Sequence, residues 1–165
     1  MESTTLIQLQ EQPTLTIRGQ VRIEALGAAY GERLRALRAY LLQEGLRVTG
    51  APFVRYHTFG AEETDVELGV PIAQEWPGRD EIKAGHLPGG PALVTEHVGA
   101  HVDLGKAYQR VRQAMTAEGF TPNGPAWEVY EWIDVNEDPE RERAFAASEG
   151  HTRLVQPLLE EVQDE

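Results

Sequence analysis

The apolar residues of the chain follow two spacings, which predict strands and helices. Leu15, Ile17 and Val21 alternate with polar residues, a pattern typical of a strand with one buried face. Farther along, apolar residues recur three and four positions apart, which places them on one face of a helix. The residues with this helical spacing are Tyr30, Leu34, Leu37 and Leu41.

These spacings, with the turn formers between them, predict a module of one strand, one helix and two further strands. The helix is predicted from about 24 to 44, because Gly45 then stands where a helix C-terminus favours glycine. The two strands that follow are predicted near 52–58 and 65–72.

The same arrangement occurs a second time in the chain. The stretch GLRVTGAPFVRY, 45–56, aligns with GFTPNGPAWEVY, 119–130, at an offset of 74 residues. The helical spacing recurs at this offset, in Leu104, Tyr108, Val111 and Met115. The second module is predicted to contain strands near 92–98, 125–133 and 152–158 and a helix near 101–118, closed by Gly119.

The second module carries about twelve extra residues, because VELGVPI, 66–72, resembles TRLVQPL, 152–158, at an offset of 86. The extra residues include DPERERAFAASEG. In this stretch Asp138 suits a helix N-cap, Pro139 the first helical position and Gly150 the position just past the end. A short additional helix is therefore predicted over 138–150.

Two such modules bury their apolar faces best side by side. The predicted fold class is α+β: duplicated βαββ modules form one mostly antiparallel sheet with two long helices on one face. The modules span about 5–73 and 90–159, with a turn-rich connector over 74–89, and the chain, 1–165, is predicted to be a single domain. The crease on the pseudo-two-fold axis between the modules is the expected ligand pocket.

The charge and composition of the chain narrow the classes of partner. The formal net charge is −12, which argues against nucleic acid and anionic membranes as partners and tolerates cationic ligands. The chain contains no cysteine, which fits a cytoplasmic protein. It has no apolar run as long as about 18 residues and no N-terminus in which basic residues precede an apolar stretch. We therefore expect no transmembrane segment and no signal peptide.

No motif predicts a metal ion or a cofactor. His97 and His101 have a helical ligand spacing but straddle Gly99 at a predicted strand-to-helix junction. The acidic stretch DVNEDPE, 134–140, lacks the glycine that a calcium loop requires. LPGGP, 87–91, lacks the lysine and the strand–loop–helix order of a phosphate-binding loop.

Strand alternation selects the side chains that face the crease. They are Val54, Tyr56 and Thr58 in the first module and Glu128, Tyr130 and Trp132 in the second. From the pattern alone, Glu128 is either a solvated residue on a half-exposed strand or a pocket carboxylate. Tyr30 and Tyr108 lie on the apolar helix stripes, where they either pack in the core or reach a ligand. Trp76, in the connector, is either a hydrophobic plug or a wall of the crease.

Five stretches, in order along the chain, resemble one known family. PFVRYH, DVELGVPI, LPGGPALVTEHVGAH, GPAWEVY and TRLVQPL are similar to the GyrI-like small-molecule-binding domain, over about residues 15–158. That domain is similar to the effector-binding domain of AraC- and MerR-type multidrug-sensing regulators. The resemblance implies a duplicated βαββ fold that binds hydrophobic, often cationic, compounds in its crease.

The resemblance also implies roles for residues of this chain. The family's acidic pocket residue lies in the strand that matches WEVY, which here is Glu128. Tyr56 and Tyr130 occupy the positions of its stacking aromatics. The expected ligand-binding set is completed by Trp132, Val54, Tyr108, Tyr30 and Trp76.

Three functions stay open under this resemblance. No helix-turn-helix stands ahead of the first module, so the chain resembles stand-alone members of the family. The first function is capture of a small hydrophobic cation without catalysis. The second is hydrolysis of electrophilic, cyclopropane-containing molecules, with Glu128 as the general base. The third is modulation of a protein partner, as in a gyrase-protecting protein, and a homodimer is also open.

Overall fold

The structure, a computed structural model, describes residues 4–99, 104–131, 133, 135 and 150–160. In this part of the chain the strands are β1 (Thr4–Leu9), β2 (Gln12–Arg22), β3 (Phe53–Phe59), β4 (Glu63–Pro71), β5 (Lys83–Leu87), β6 (Gly90–Gly99), β7 (Trp127–Tyr130) and β8 (Gly150–Pro157). The helices are α1 (Leu26–Glu44) and α2 (Gly105–Glu118), and a single 3₁₀ turn, Ile23–Ala25, leads into α1.

The two predicted modules are both present in the fold. The first consists of β2, α1, β3 and β4, and the second of β6, α2, β7 and β8. All eight of these described strands pair antiparallel in one sheet. The predicted α+β fold class is therefore confirmed.

Both helices end at a glycine in the left-handed conformation, as predicted. Gly45 has a φ of 68° and donates its N–H to the carbonyls of Leu41 and Leu42. Gly119 has a φ of 72° and donates to the carbonyl of Met115. Glycine adopts this conformation without the steric cost that a Cβ adds, so each helix stops at a defined residue and the chain turns back toward the sheet. Neither described helix is long and apolar enough to cross a membrane.

Two strands that the apolar spacing did not indicate complete the sheet, whose order is β1-β6-β8-β7-β3-β4-β2-β5. β1 precedes the first module but pairs with β6 of the second. β5 lies within the predicted connector but pairs with β2 of the first module. The segment ahead of each module therefore forms the edge strand of the other module. These two pairings connect the halves of the sheet.

The strand order is symmetric about its centre, so a pseudo-two-fold axis passes between β3 and β7. These two strands pair antiparallel, with Val54 opposite Glu128. The helices pack on the same face of the sheet: α1 lies over a cluster that includes Leu15 and Leu68, and α2 over a cluster that includes Leu154. The crease between the modules therefore lies over the β3–β7 pair and between the two helices.

The sheet curls around a third apolar cluster, on the face away from the helices. Phe53 and Trp127, at the centre of the sheet, belong to this cluster, as strand alternation predicts. Ile7 of β1 and Leu87 of β5 pack in the same cluster, although these strands are the two edges of the sheet. Edge strands can contact side chains from the centre only if the sheet curves into a half-barrel.

A register shift in β3 corrects the predicted floor of the crease. Tyr56 lies opposite Val66, but Thr58 lies opposite Asp65, so the alternation of side chains breaks between them. Tyr56 faces the helices, whereas Thr58 faces the other side of the sheet.

Three predictions concern residues outside the described part of the chain. They are Trp132 as a ligand-binding residue, His101 beside His97, and the additional helix over 138–150. Only the last residue of that predicted helix segment, Gly150, is described, and it begins β8.

Candidate ligand-binding site

A cavity of about 580 Å³ lies in the crease, on the helix side of the sheet. Leu26, at the start of α1, and Leu104 and Gly105, at the start of α2, wall it on two sides. The strands β3, β7 and β8 supply the floor, which includes Glu128 and Gln156. A concave, largely apolar site of this size suits a small organic molecule.

Glu128 is a buried carboxylate at the floor of this cavity, with 3% of its surface exposed. The Tyr130 hydroxyl donates a hydrogen bond to Oε1 at 2.7 Å, and the Tyr108 hydroxyl donates one to Oε2. Hydrogen bonds from phenols to a carboxylate are charge-assisted, so they fix the position of both oxygens. The position of the carboxyl group is therefore preorganised.

Two more tyrosines form a second hydrogen-bonded pair at the same cavity. Tyr30 of α1 and Tyr56 of β3 share a hydrogen bond between their hydroxyls. With Tyr108 of α2 and Tyr130 of β7, the four phenols come from four different elements and from both modules.

The phenols stay neutral beside the carboxylate. Burial raises the pKa of Tyr56, Tyr108 and Tyr130 well above the ordinary value, and the Glu128 carboxylate raises it further in each case. Burial likewise raises the pKa of Tyr30. The tyrosines therefore act as neutral hydrogen-bond donors, and Glu128 is the acidic group of the site.

Such a site can discriminate ligands by charge. Coulomb attraction between a cation and a carboxylate is stronger where water is excluded, because the local dielectric constant is lower. A cation over a tyrosine ring gains about 0.5–2 kcal/mol more. An ionised carboxylate at this position would repel an anion.

The predicted tyrosines and the predicted glutamate come together at this cavity. Tyr56, Tyr108 and Glu128 line it directly. Tyr30 and Tyr130 are buried behind the lining and reach it through hydrogen bonds to Tyr56 and Glu128, respectively.

Val54 and Trp76 lie elsewhere. Val54 is 0% exposed and packs in the core beneath α1, next to Glu128 in the sheet. Trp76 lines a second cavity, of about 370 Å³, beside His86 of the edge strand β5. Its indole N–H donates to Glu44 at 3.2 Å. Trp76 is therefore placed as the wall of a separate surface cavity and not as a wall of the crease.

Gln156 is a lining residue that the sequence reasoning missed, together with the flanking Pro125 and Ala126. A signal for Gln156 was present in the repeat. Where VELGVPI aligns with TRLVQPL, Gln156 stands at the position of Val70, the same kind of contrast that sets Glu128 against Val54.

An ionic cluster of Arg55, His57 and Glu67 lies on the other face of the sheet, away from the cavity. Arg55 Nη2 and His57 Nε2 each lie 2.8 Å from Glu67 Oε1. Burial opposes ionisation of Glu67, but Arg55 and His57 outweigh this effect and hold the pKa of its carboxyl below the ordinary value. Within the described residues, no group of three potential metal-ligating side chains could hold a metal ion.

The fold and its central cavity define a small-molecule-binding domain of the α+β class. The chain belongs to the GyrI-like small molecule binding domain family, whose family model matches residues 3–143. This confirms the family that the sequence motifs resemble. No protein of curated function matches the sequence.

Several solved structures share the fold. The C-terminal domain of EcmrR is 19% identical with a TM-score of 0.72, and the alignment covers 98% of this chain and 99% of that one. EcmrR in a DNA complex is 18% identical with a TM-score of 0.76, and the alignment covers 97% of this chain but spans only 58% of the EcmrR chain.

Two further solved structures also share the fold. A hydrolase from Listeria innocua is 15% identical with a TM-score of 0.61, over 95% of this chain and 92% of that one. SAV2435, in a structure with bound tetraphenylphosphonium, is 12% identical with a TM-score of 0.58, over 95% of this chain and 94% of that one. At these identities the likeness shows the fold alone.

Proposed function

We propose that the protein binds small hydrophobic cations in its central cavity, as a multidrug-type receptor or a sequestering protein. The observation that carries this proposal is the carboxylate of Glu128, which is buried at the floor of the cavity and held by two tyrosine hydroxyls. A scaffold needs no charge at this place, because the equivalent residue of the first module is the apolar Val54.

The energetics of burial support a cation as the ligand. Burying a carboxylate costs several kcal/mol in an apolar site, and hydrogen bonds from neutral donors offset only part of this cost. A bound cation restores the lost charge stabilisation, and it also covers the apolar walls. Ligand binding and relief of the buried charge are therefore coupled in one event.

One relative with the same fold has a lipophilic cation, tetraphenylphosphonium, bound in its structure. It is too distant in sequence to assign a ligand to this chain. It is consistent with the charge argument above, which rests on this chain's own residues.

The test uses two probes that differ in one atom: naphthylmethyl-trimethylammonium and its neutral carbon isostere, neopentylnaphthalene. The wild-type protein should bind the cation more tightly. Glu128→Gln keeps the size of the side chain and removes its charge. It should raise the Kd of the cation by about tenfold to a hundredfold, as expected for loss of a buried charge interaction, and change the Kd of the neutral probe little.

The matched control is Glu131→Gln, which makes the same chemical change at a partly exposed residue that pairs with Arg153 at 3.2 Å. It should leave both dissociation constants unchanged. Equal losses for the two probes in Glu128→Gln would show that charge selection is not the function of this carboxylate.

Hydrolysis of electrophilic small molecules is a second candidate, because Glu128 and Tyr108 place a proton acceptor and a proton donor together at the cavity. Glu128 would take a proton from the attacking water as general base. Binding is the stronger candidate, since both carboxylate oxygens already accept a phenolic hydrogen bond and are held as a fixed charge.

Turnover separates the two candidates. The protein is incubated with a cyclopropane-containing electrophile in excess, and product is counted against protein. More product than protein, lost in Glu128→Gln, would establish catalysis. Product or adduct that never exceeds the amount of protein would leave binding as the function.

A further inference from the structure

The side-chain amide of Gln156 has a fixed orientation at the edge of the cavity. Its Nε2 donates to the carbonyl of Gly124 at 3.1 Å and to the carbonyl of Pro157 at 2.8 Å. Both partners are acceptors, so only the amide nitrogen can make these contacts, and the two ends of the amide cannot be exchanged. The carbonyl oxygen, Oε1, is therefore the end of the amide that is left to face the cavity, which Gln156 lines.

This oxygen is an acceptor that is accessible from the cavity and has no protein donor in the described part of the chain. Gln156 is 8% exposed, and within residues 4–99, 104–131 and 150–160 no donor lies within hydrogen-bonding distance of Oε1. A ligand that fills the cavity displaces water from this oxygen. A ligand N–H then restores the hydrogen bond, whereas a ligand without a donor leaves the acceptor unsatisfied. The cavity thus offers two kinds of acceptor, the Glu128 carboxylate and the Gln156 carbonyl.

The repeat indicates that packing alone does not require a polar residue here. The equivalent position in the first module is Val70, which is 0% exposed and belongs to the core beneath α1. Gln156 also stabilises the turn at Gly124, whose φ is 84°, through its hydrogen bond to the Gly124 carbonyl. The test must therefore distinguish a role in ligand selection from a purely structural role.

We propose that Gln156 selects cations that carry N–H groups, such as protonated primary or secondary amines and amidinium groups, over quaternary cations. This inference rests on the proposed cation binding and names the class of cation. One N–H of the ligand donates to Gln156 Oε1 while its charge is balanced by Glu128. A quaternary cation can satisfy the charge but leaves Oε1 without a donor.

The test compares naphthylmethylammonium with naphthylmethyl-trimethylammonium, which share the ring and the charge but differ in N–H donors. The readout is the ratio of their dissociation constants in the wild type and in Gln156→Met, because the ratio of ratios cancels the different hydration of the two probes. The preference for the N–H cation should fall by about tenfold in the variant, as expected for one hydrogen bond to a charged donor.

Gln12→Met is the matched control. Gln12 Nε2 also donates to two backbone carbonyls, of Pro13 at 2.9 Å and Ile72 at 2.7 Å, but Gln12 does not line the cavity. The control should leave the preference unchanged, even if it lowers the melting temperature.

The possible outcomes are distinct. If Gln156→Met weakens both probes by the same factor, Gln156 supports the cavity structurally and the inference is overturned. If the wild type prefers the quaternary probe and the variant keeps that preference, it is overturned while cation binding stands. If the wild type binds neither probe, the proposed function fails, and this inference fails with it.

Discussion

Removing the hydroxyl of Tyr130 tests how the buried charge is held. Tyr130 is 1% exposed, and its hydroxyl donates to Glu128 Oε1 at 2.7 Å. Tyr130→Phe keeps the ring, which packs in the core with α1, and removes one donor from a carboxylate oxygen of Glu128. Water cannot readily replace that donor, because the hydroxyl site is enclosed by the core.

The expected cost follows from the kind of hydrogen bond that is lost. A hydrogen bond to a charged group contributes about 1.5–3 kcal/mol to the free energy of unfolding. For a domain of this size, 1 kcal/mol corresponds to about 2–4 °C in Tm. Tyr130→Phe should therefore lower the free energy of unfolding by about 2 kcal/mol and Tm by about 4–8 °C.

Two other tyrosines provide comparisons of the same chemical change. Tyr108→Phe removes the donor to Glu128 Oε2, but Tyr108 lines the cavity, where water can replace its hydroxyl, so the cost should be about 1 kcal/mol or less. Tyr40→Phe removes a hydrogen bond to a neutral acceptor, the carbonyl of Pro77 at 2.6 Å, and should also cost about 1 kcal/mol.

Urea and thermal unfolding of the wild type and the three variants measure these differences. Tyr130→Phe should be the most destabilising of the three. A loss at Tyr130 no larger than the loss at Tyr40 would show that Glu128 does not act as a buried charge in the free protein, and would remove the main support for cation binding.

Two further predictions concern the face of the sheet away from the cavity. The pKa of Glu67 is lowered in the folded protein. Its ion pair with Arg55 therefore stabilises the fold fully at pH values above the unfolded-state pKa of about 4.3. This stabilisation is lost as the pH falls through the folded-state pKa. Glu67→Gln should lower the free energy of unfolding, measured in urea at pH 7, by about 2–4 kcal/mol. The difference in stability between the variant and the wild type should become smaller toward pH 3. A difference that does not change with pH would contradict this prediction. Gly69→Ala should lower the free energy of unfolding by about 1–3 kcal/mol, because the new Cβ would lie 2.7 Å from Phe53 Cζ. Gly85→Ala should lower it much less, because its new Cβ would make an ordinary contact at 3.5 Å. Equal effects of the two substitutions would contradict the steric argument.

The modules could be predicted from sequence because their signals are local. The apolar spacing of Tyr30 and Leu34 and the glycine at each helix end act within one element, so each can be recognised without its partners. The alignment at an offset of 74 residues then relates the two halves. Alternation and spacing pointed the four tyrosines and Glu128 out as candidates, and the family resemblance favoured Glu128 as the pocket carboxylate. Their hydrogen bonds could not be predicted.

The edge strands could not be predicted, because their conformation depends on distant partners. In β1 the side chains are half-buried or exposed, and the strand is fixed by pairing Thr4–Leu9 with β6, about 90 residues farther along the chain. β5 lies in a segment rich in glycine and turn formers and becomes a strand by pairing with β2. The position of Trp76 follows from β5, so it could not be derived either. The register shift after Tyr56 is also a property of pairing and not of local pattern.

The internal repeat separates the residues that the fold requires from those that a ligand requires. Each floor position occurs twice in closely similar surroundings, and the first module fills three of them with fully buried valines: Val54, Val66 and Val70. The second module has Glu128, Thr152 and Gln156 at these positions, and all three are buried. Since valine satisfies the scaffold, the polar residues add a burial cost that packing does not explain. The specificity of the cavity should therefore be sought in the second module, while the first contributes its tyrosines across the crease.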